Sequence, residues 1–345
     1  MVIYEAYMNT PRMNSNPKLT NYLVAKGVLQ SSPLWLVDVG ASGGINDYWK
    51  IFDPCLRTVG FDPLIQEVAR LNAIHESGNQ RYYPHMVGYK RYNELLLPSG
   101  PRAQQSLYGR TSAWRAQRIR QRGYGPTHYD QTGEGLVAKD LIELDEFFLR
   151  THPTDVDFIK IDTDGSDYQV LLGARELLDK CPVLGVAVEC QFHGPVHDAA
   201  NIFSNIDRLL RQLGFTLFDI EVYRYSRAAL PKPFVYRLPA QTTSGQVLWA
   251  DALYFRDAGE QGYEDTWSVA LTEGKILKLA CLLEVFGLED CAAEILVKYR
   301  DRLATIVDVG ACLDLITPAL HGEKPSYTRY LEQFDKNVDS FFPSG

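Results

Sequence analysis

Two short stretches of the sequence hold side chains that can accept a proton. In DFIKIDTDG, Asp162 and Asp164 follow an apolar run, and in VLGVAVECQFHGPVH, Glu189, His193 and His197 do the same. An aliphatic hydroxyl is a poor nucleophile, and a positioned carboxylate or imidazole, or a metal that lowers its pKa, makes it a useful one. Alternation along a strand places Phe158, Lys160 and Asp162 on one face and Ile159, Ile161 and Thr163 on the other, so Asp162 emerges at the carboxyl end with Asp164 in the turn beyond. Adjacent parallel strands deliver their carboxyl ends to one edge. Asp162, Glu189 and His193 are therefore expected to converge on an acceptor, with His193 or Asp162 as the base and Glu189 orienting. A divalent cation, Mg or Mn, held by Asp162, Glu189 and one histidine is the alternative. Lys160 is more simply a partner for Asp162 or Asp164, since a charge in a central strand needs one. His197 reads as a contact at a helix start, and Glu189 could equally cap the turn that follows it.

A second constellation lies upstream. The pentapeptide VDVGA occurs at residues 37–41 and again at 307–311. The first copy continues into a turn with Gly40, Gly43 and Gly44, where missing Cβ atoms let backbone approach a ligand. The next strand ends in GFDP, which puts Asp62 roughly twenty residues after Gly40, the place for a carboxylate on ribose hydroxyls. The turn reads G-A-S-G-G and not G-x-G-x-x-G, so the pyrophosphate fingerprint is not met. A nucleoside cofactor without phosphates fits better, and S-adenosylmethionine has that chemistry: ribose at Asp62, methionine moiety along the turn, adenine near Met86 to Gly88. The competing reading makes the glycines a tight turn and Asp62 a helix cap. The second VDVGA is followed by Leu, Asp, Leu and Ile, and Leu303, Ile306, Val307, Gly310 and Leu313 recur at helical spacing, which predicts a helix.

These residues need a scaffold, and the chain supplies one. Runs rich in Val, Ile, Leu and Phe (LWLVDVG, LRTVGFD, RYYPHMVG, DFIKID, VLGVAVEC) alternate with helix-like segments, as in a parallel sheet with crossover helices. FTLFDIEVYRY and VLWADALYF then suggest a terminal antiparallel pair around a long Pro-rich loop. Residues 98–135 interrupt the rhythm with Arg102, Arg110, Arg115, Arg118, Arg120 and Arg122. That insert is either a solvated helix or a lid over an anionic acceptor, since Arg suits carboxylate and phosphate. From Trp267 the pattern is helical, giving an expected N-terminal arm (1–33), an α/β domain (34–257) and a helical C-terminal extension (258–345), through which a homo-oligomer could form.

The 345 residues, 46% hydrophobic and 23% charged, suit an ordinary globular protein, and a net charge of −8 argues against duplex nucleic acid as the partner. The six cysteines show no CxxC pair or zinc spacing and read as buried thiols in a reducing compartment. MVIYEAYMNTPRMNSN lacks a basic start with an apolar run, and no stretch is long enough to span a bilayer, so a cytoplasmic protein is expected.

VDVGASGG, GFDP and above all DFIKIDTDGSDYQVLLGA, preceded by Leu144-Asp145, resemble the FkbM-type methyltransferases, a branch of the class I S-adenosylmethionine-dependent enzymes. The likeness covers about residues 34–257 and departs from the family pattern at Ser42, where Asn is usual, and at Asp164, where Glu is usual. It implies a Rossmann-like, mostly parallel seven-stranded sheet with helices on both faces. It also implies a cofactor set of Asp38, Gly40, Ala41, Ser42, Gly43, Gly44, Phe61, Asp62, Pro63, Val87 and Asp162. The expected reaction is O-methylation of a hydroxyl on a sugar, glycan or secondary metabolite, with Asp162, His193, Glu189 and Asp164 as the catalytic candidates. A nicotinamide-dependent oxidoreductase and a non-catalytic cofactor-binding or interaction module are the rival readings.

Overall fold

The computed structural model describes residues 13–75, 78–96, 140–152, 154–163, 165–193, 197–225, 246–320 and 322–341. Nine strands occur among them: β1 (Leu34–Val39), β2 (Leu56–Phe61), β3 (Gln80–Tyr83), β4 (Met86–Val87), β5 (Leu141–Ile142), β6 (Phe158–Ile161), β7 (Gly185–Gln191), β8 (Phe215–Tyr225) and β9 (Gln246–Arg256). Seven of them form one sheet in the order β3-β2-β1-β6-β7-β9-β8, and β4 pairs with β5 separately. The strands through β7 run parallel, and β9 and β8 close the edge as an antiparallel pair. This is the Rossmann-like seven-stranded arrangement expected from the sequence. The order reverses between β1 and β6, so the crevice beyond their carboxyl ends is where a ligand belongs.

The apolar runs form central strands because both faces are covered. Val37, Ile159, Ile161, Val186 and Val188 are buried in one core with Leu171, Leu177, Ile206 and Leu210 of the flanking helices. Truncating a residue such as Ile159, 0% exposed, to Ala would cost about 2–5 kcal/mol. At the end of β9, the buried Arg256 donates Nε–H to Val183 O at 2.7 Å and lies over the Phe215 ring, so its charge is met by carbonyl and ring. Leu144 is buried, and Asp145 accepts the N–H groups of Glu176 and Leu177 at 2.9 and 2.7 Å, fixing the start of helix Arg175–Lys180.

Three details differ from the expected pattern. RYYPHMVG is not one strand: Pro84 has no N–H for a ladder, so the stretch breaks into β3 in the large sheet and β4 in the two-stranded ribbon. The glycine turn after β1 leads to a single 3-10 turn, Asp47–Phe52, instead of a full helix. The second VDVGA does not lie inside one continuous helix. Helix Arg300–Leu303 ends before it, and Asp308 caps helix Val309–Ile316 by accepting the Ala311 N–H at 3.0 Å.

By contacts the chain divides into two units: Trp35–Ile45 with Arg57–Asp257, and Arg12–Leu34 with Asn46–Leu56 and Ala258–Gly345. The second unit is helical. Its central helix, Glu273–Val285, is buried on nearly every side, Lys275 and Lys278 included, and Glu284 accepts the N–H groups of Leu19 and Thr20 at the start of helix Lys18–Ala25, each at 2.8 Å. Cys55, Cys190, Cys281 and Cys312 are buried. Among the described residues no helix is long and apolar enough to cross a membrane.

Candidate active site

The glycine turn is shaped by three left-handed residues, Gly40, Gly43 and Gly44, at φ of +84°, +87° and +86°. A Cβ on Gly40 would sit 1.8 Å from the Asp162 carbonyl oxygen, so only glycine lets the end of β1 pass the end of β6 this closely. A Cβ on Gly43 would meet nothing within 4 Å, so the turn is open on that side. Its backbone donors are turned inward. Gly40 and Ala41 both donate to Phe61 O at 3.0 Å, Gly44 donates to Ala41 O at 3.0 Å, Gly43 donates to Glu67 Oε1 at 2.9 Å, and the Ser42 backbone holds the Asp62 carboxylate. A phosphate would find these donors already bonded, which is a physical reason for the missing pyrophosphate fingerprint.

Asp62 is 4% exposed, and its Oδ1 also accepts the Leu64 N–H at 2.8 Å. Burial pushes its pKa up while these hydrogen bonds hold it down, and burial prevails. Asp62 thus belongs to the turn and does not cap helix Ile65–Ile74, whose N-cap position is Leu64. Phe61 points into the core against Tyr83 and Phe147 at centroid distances of 5.8 and 5.0 Å, so what it offers the site is its carbonyl. Pro63 is half-buried, and Val87 is 8% exposed in the β4–β5 ribbon. An open glycine turn beside a buried carboxylate at the end of the neighbouring strand, with no free N–H cradle, fits a nucleoside that carries no phosphate.

The end of β6 carries the charges. Lys160 Nζ lies 3.1 Å from Asp38 Oδ1, 3.5 Å from Asp162 Oδ2 and 3.4 Å from Gly40 O. Burial pushes its pKa down, but Asp38 and Asp162 outweigh that and hold the ammonium protonated. Asp38 is buried and engaged by Lys160, whereas the Asp162 side chain is 46% exposed at the mouth. The turn beyond is fixed by Asp167, which accepts Thr163 N–H and Oγ1–H at 2.9 and 3.0 Å and the Asn201 side chain at 3.0 Å. Asp164 and residues 98–135 lie outside the described residues.

Strand register continues the row of acids. Ile161 faces Val188, so Asp162 and Glu189 follow together, and Glu189 faces Asp251, which faces Glu221. Residues opposite one another share a sheet face. The four carboxylates therefore line one face at the carboxyl edge, and Tyr223 donates its hydroxyl to Asp251 Oδ2 at 3.0 Å. The Tyr223 ring stacks on Trp249 at a centroid distance of 3.8 Å. His193 is turned toward the start of β9, its Nε2 2.8 Å from Val247 O. The Gln246 side-chain nitrogen lies 3.3 Å from the same ring nitrogen, so His193 is engaged by β9. His197 accepts the Ala199 N–H through Nδ1 at 3.0 Å, a local contact. Among the described residues no three His, Cys, Asp or Glu side chains are grouped closely enough to hold a metal ion, so the Asp162, Glu189 and histidine set is not assembled. Sequence reasoning missed Glu67, Asp251 and Tyr223. The signal for the last two was present: an acid in the apolar strand VLWADALYF, and two acids at alternate positions before the aromatic of DIEVYRY.

Comparison with known proteins follows the geometry. Among solved structures the chain is similar to a TehB-like SAM-dependent methyltransferase from Corynebacterium glutamicum, with 12% identity, 69% of this chain and 87% of that chain covered, and a TM-score of 0.29. It is also similar to a precorrin-6y C5,15-methyltransferase from Geobacter metallireducens (10%, 68% and 87%, TM-score 0.29) and to a 1,6-didemethyltoxoflavin-N1-methyltransferase from Burkholderia thailandensis (11%, 70% and 79%, TM-score 0.28). No curated protein matches the chain. The model of the methyltransferase FkbM domain matches residues 38–217, more than half of the chain, from the buried Asp38 of β1 into β8. The chain belongs to the FkbM methyltransferases and is a methyltransferase dependent on S-adenosylmethionine.

Proposed function

We propose that the protein methylates a hydroxyl oxygen of a sugar, a glycan or a secondary metabolite. The observation that carries this reading is the row of carboxylates running from Asp162, beside the glycine turn, through Glu189 to Asp251. Ionised carboxylates only accept hydrogen bonds, so they suit an acceptor that presents O–H groups. Four acids on one face also favour a neutral or cationic acceptor over an anionic one. The sugar or metabolite class rests on the family.

The donor, when bound, supplies an electrophilic methyl on a sulfonium. The chain's own residues do the rest. Asp62 would take the ribose hydroxyls, the open face at Gly43 would receive the methionine moiety, and Val87 would line the adenine site. Lys160 pairs with Asp38 at 3.1 Å and with Asp162 at 3.5 Å and so holds both in place. Asp162 and Glu189 orient the acceptor hydroxyl, because methyl transfer depends chiefly on holding the oxygen at near-attack distance, about 3–3.5 Å.

The test is to incubate the full chain with methyl-labelled S-adenosylmethionine and a panel of glycosides, simple alcohols and their amine analogues, and to identify the product. A methyl ether is expected. Labelling of amines alone would overturn the assignment of oxygen as the acceptor atom. Binding of S-adenosylhomocysteine with no transfer to any member would favour the non-catalytic module.

A further inference from the structure

We propose that Asp251 is the group that takes the proton from the acceptor hydroxyl. This rests on the reading of the site as an O-methylating one and adds the base to it.

Asp162 is the least suited to the task, since its carboxylate is already paired with the Lys160 ammonium at 3.5 Å. Asp251 stands in the opposite environment. Among the described residues, β9 places it between β7 and β8, directly opposite Glu189 on one side and Glu221 on the other, with Asp162 one strand beyond Glu189. Among the described residues no ion pair joins Asp251 to a cation, whereas Lys160 lies 3.5 Å from Asp162. From the elements packed against it, β7 presents Glu189 and Cys190, β8 presents Glu221 and Tyr223, and β6 presents Lys160 and Asp162. Burial raises its pKa most, Asp162 and Glu221 add to this, and Tyr223 and Lys160 oppose it, for a net rise to about 7. A carboxyl group buried among like charges is a known way to bring a base toward neutral pH. A base near the working pH is the most effective.

Position supports the same assignment. Strands are spaced by about 4.8 Å, so Asp251 lies about two strand spacings from the end of β6, on the side away from the glycine turn. The acceptor oxygen must approach the methyl from the side opposite the sulfur, and its base must lie beyond it again by a hydrogen bond of about 2.6–3.2 Å. That side of the sheet edge is the one β7 and β9 occupy. Tyr223 donates to Oδ2 and so fixes the orientation of the carboxylate at this edge. In the step, an oxygen lone pair forms the O–C bond, the S–C pair stays on sulfur, and the hydroxyl proton passes to Asp251. The acceptor gains a methyl and loses a proton, the carboxylate gains that proton, and the positive charge of the sulfonium is discharged. Asp251 then returns the proton to water.

The test has two arms on the full chain. In the first, aspartate carboxyl carbons are labelled and followed by NMR from pH 4 to 9 with S-adenosylhomocysteine present. Asp251 is identified by the signal lost in D251N. It is expected to titrate near pH 7, and Y223F, which removes a hydrogen bond to the ionised form, should move it higher. An Asp251 signal that titrates below about pH 5 overturns the proposal. In the second arm, transfer to the hydroxyl panel is measured against pH. D251N should lower kcat at least 100-fold with S-adenosylhomocysteine affinity within twofold of wild type, and D251E should recover part of the rate. Wild-type kcat in D251N overturns the proposal while leaving the O-methylation reading intact. Failure of the wild-type chain to bind S-adenosylhomocysteine would instead sink the reading of the site.

Discussion

Glu67 holds the glycine turn in shape, and its replacement gives a measurable effect without knowledge of the acceptor. Its carboxylate accepts the Gly43 N–H at 2.9 Å and is gripped by Arg70 at 2.6 and 2.8 Å. In Glu67→Ala, Gly43 loses the partner that fixes its left-handed backbone, and the turn must be ordered when the cofactor binds. A hydrogen bond to a charged acceptor contributes about 1.5–3 kcal/mol, and because Gly43 is exposed and water can replace Glu67, the lower end of that range applies. The Arg70 pair is an exposed i, i+3 contact and adds only about 0.3–0.5 kcal/mol. With tenfold in affinity per about 1.4 kcal/mol, S-adenosylhomocysteine should bind about tenfold more weakly by calorimetry at pH 7.5. Glu67→Gln keeps an acceptor oxygen for Gly43 and should recover most of the affinity, and Arg70→Ala should stay within about twofold of wild type. Unchanged or tighter binding in Glu67→Ala would refute the reasoning, since it would mean that Glu67 competes for the turn instead of supporting it.

Three further outcomes are expected. Gly40→Ala brings a Cβ to 1.8 Å from a backbone oxygen at a φ of +84°, and strain at both should cost more than about 3 kcal/mol, read as loss of the cooperative thermal transition. Asp167→Ala strands three part-buried donors around a buried side chain and should lower stability in urea by about 3 kcal/mol; a loss below 1 kcal/mol would show that water replaces the carboxylate. The raised pKa of Asp251 means that the folded state binds its proton more tightly than the unfolded state does. Its contribution to stability is therefore full below the ordinary carboxylate range and is lost as pH rises through about 7. D251N should show a higher Tm than wild type at pH 8 and an equal one at pH 4, and the reverse order would contradict the assigned environment.

The parts of the fold written in local patterns were legible. DFIKIDTDG and VLGVAVEC are continuous apolar runs because both sheet faces are covered, and the glycines after β1 announce a turn that only they can make. RYYPHMVG misled because apolar content outweighed one proline. The acid row was half visible: Asp162 and Glu189 end consecutive parallel strands, so their convergence follows from topology. Asp251 and Glu221 join them only through antiparallel register, which is set by the pairing of β8 and β9 and not by any spacing near either residue. Glu67 was missed because its role is to accept a backbone N–H from the turn two dozen positions earlier, and an exposed helical glutamate carries no mark of that. The two copies of VDVGA make the same point, one running from strand into turn and the other starting a helix behind the Asp308 cap.

The carboxylate of Glu284 has a consequence for how the helical unit comes into being. It receives the first N–H groups of a helix that precedes it by 265 residues, while Asn46–Leu56 joins the same unit from between β1 and β2. Contacts this distant in sequence are slow to close. A chain that emerges from the ribosome amino end first exposes Leu19 and Thr20 long before their partner exists. The helical unit is thus the last to be completed, and the parallel strands can assemble while it waits. Shortening the chain to before Glu284 would leave the early helix with open donors at its start, a lesion at the amino end caused by a cut at the carboxyl end.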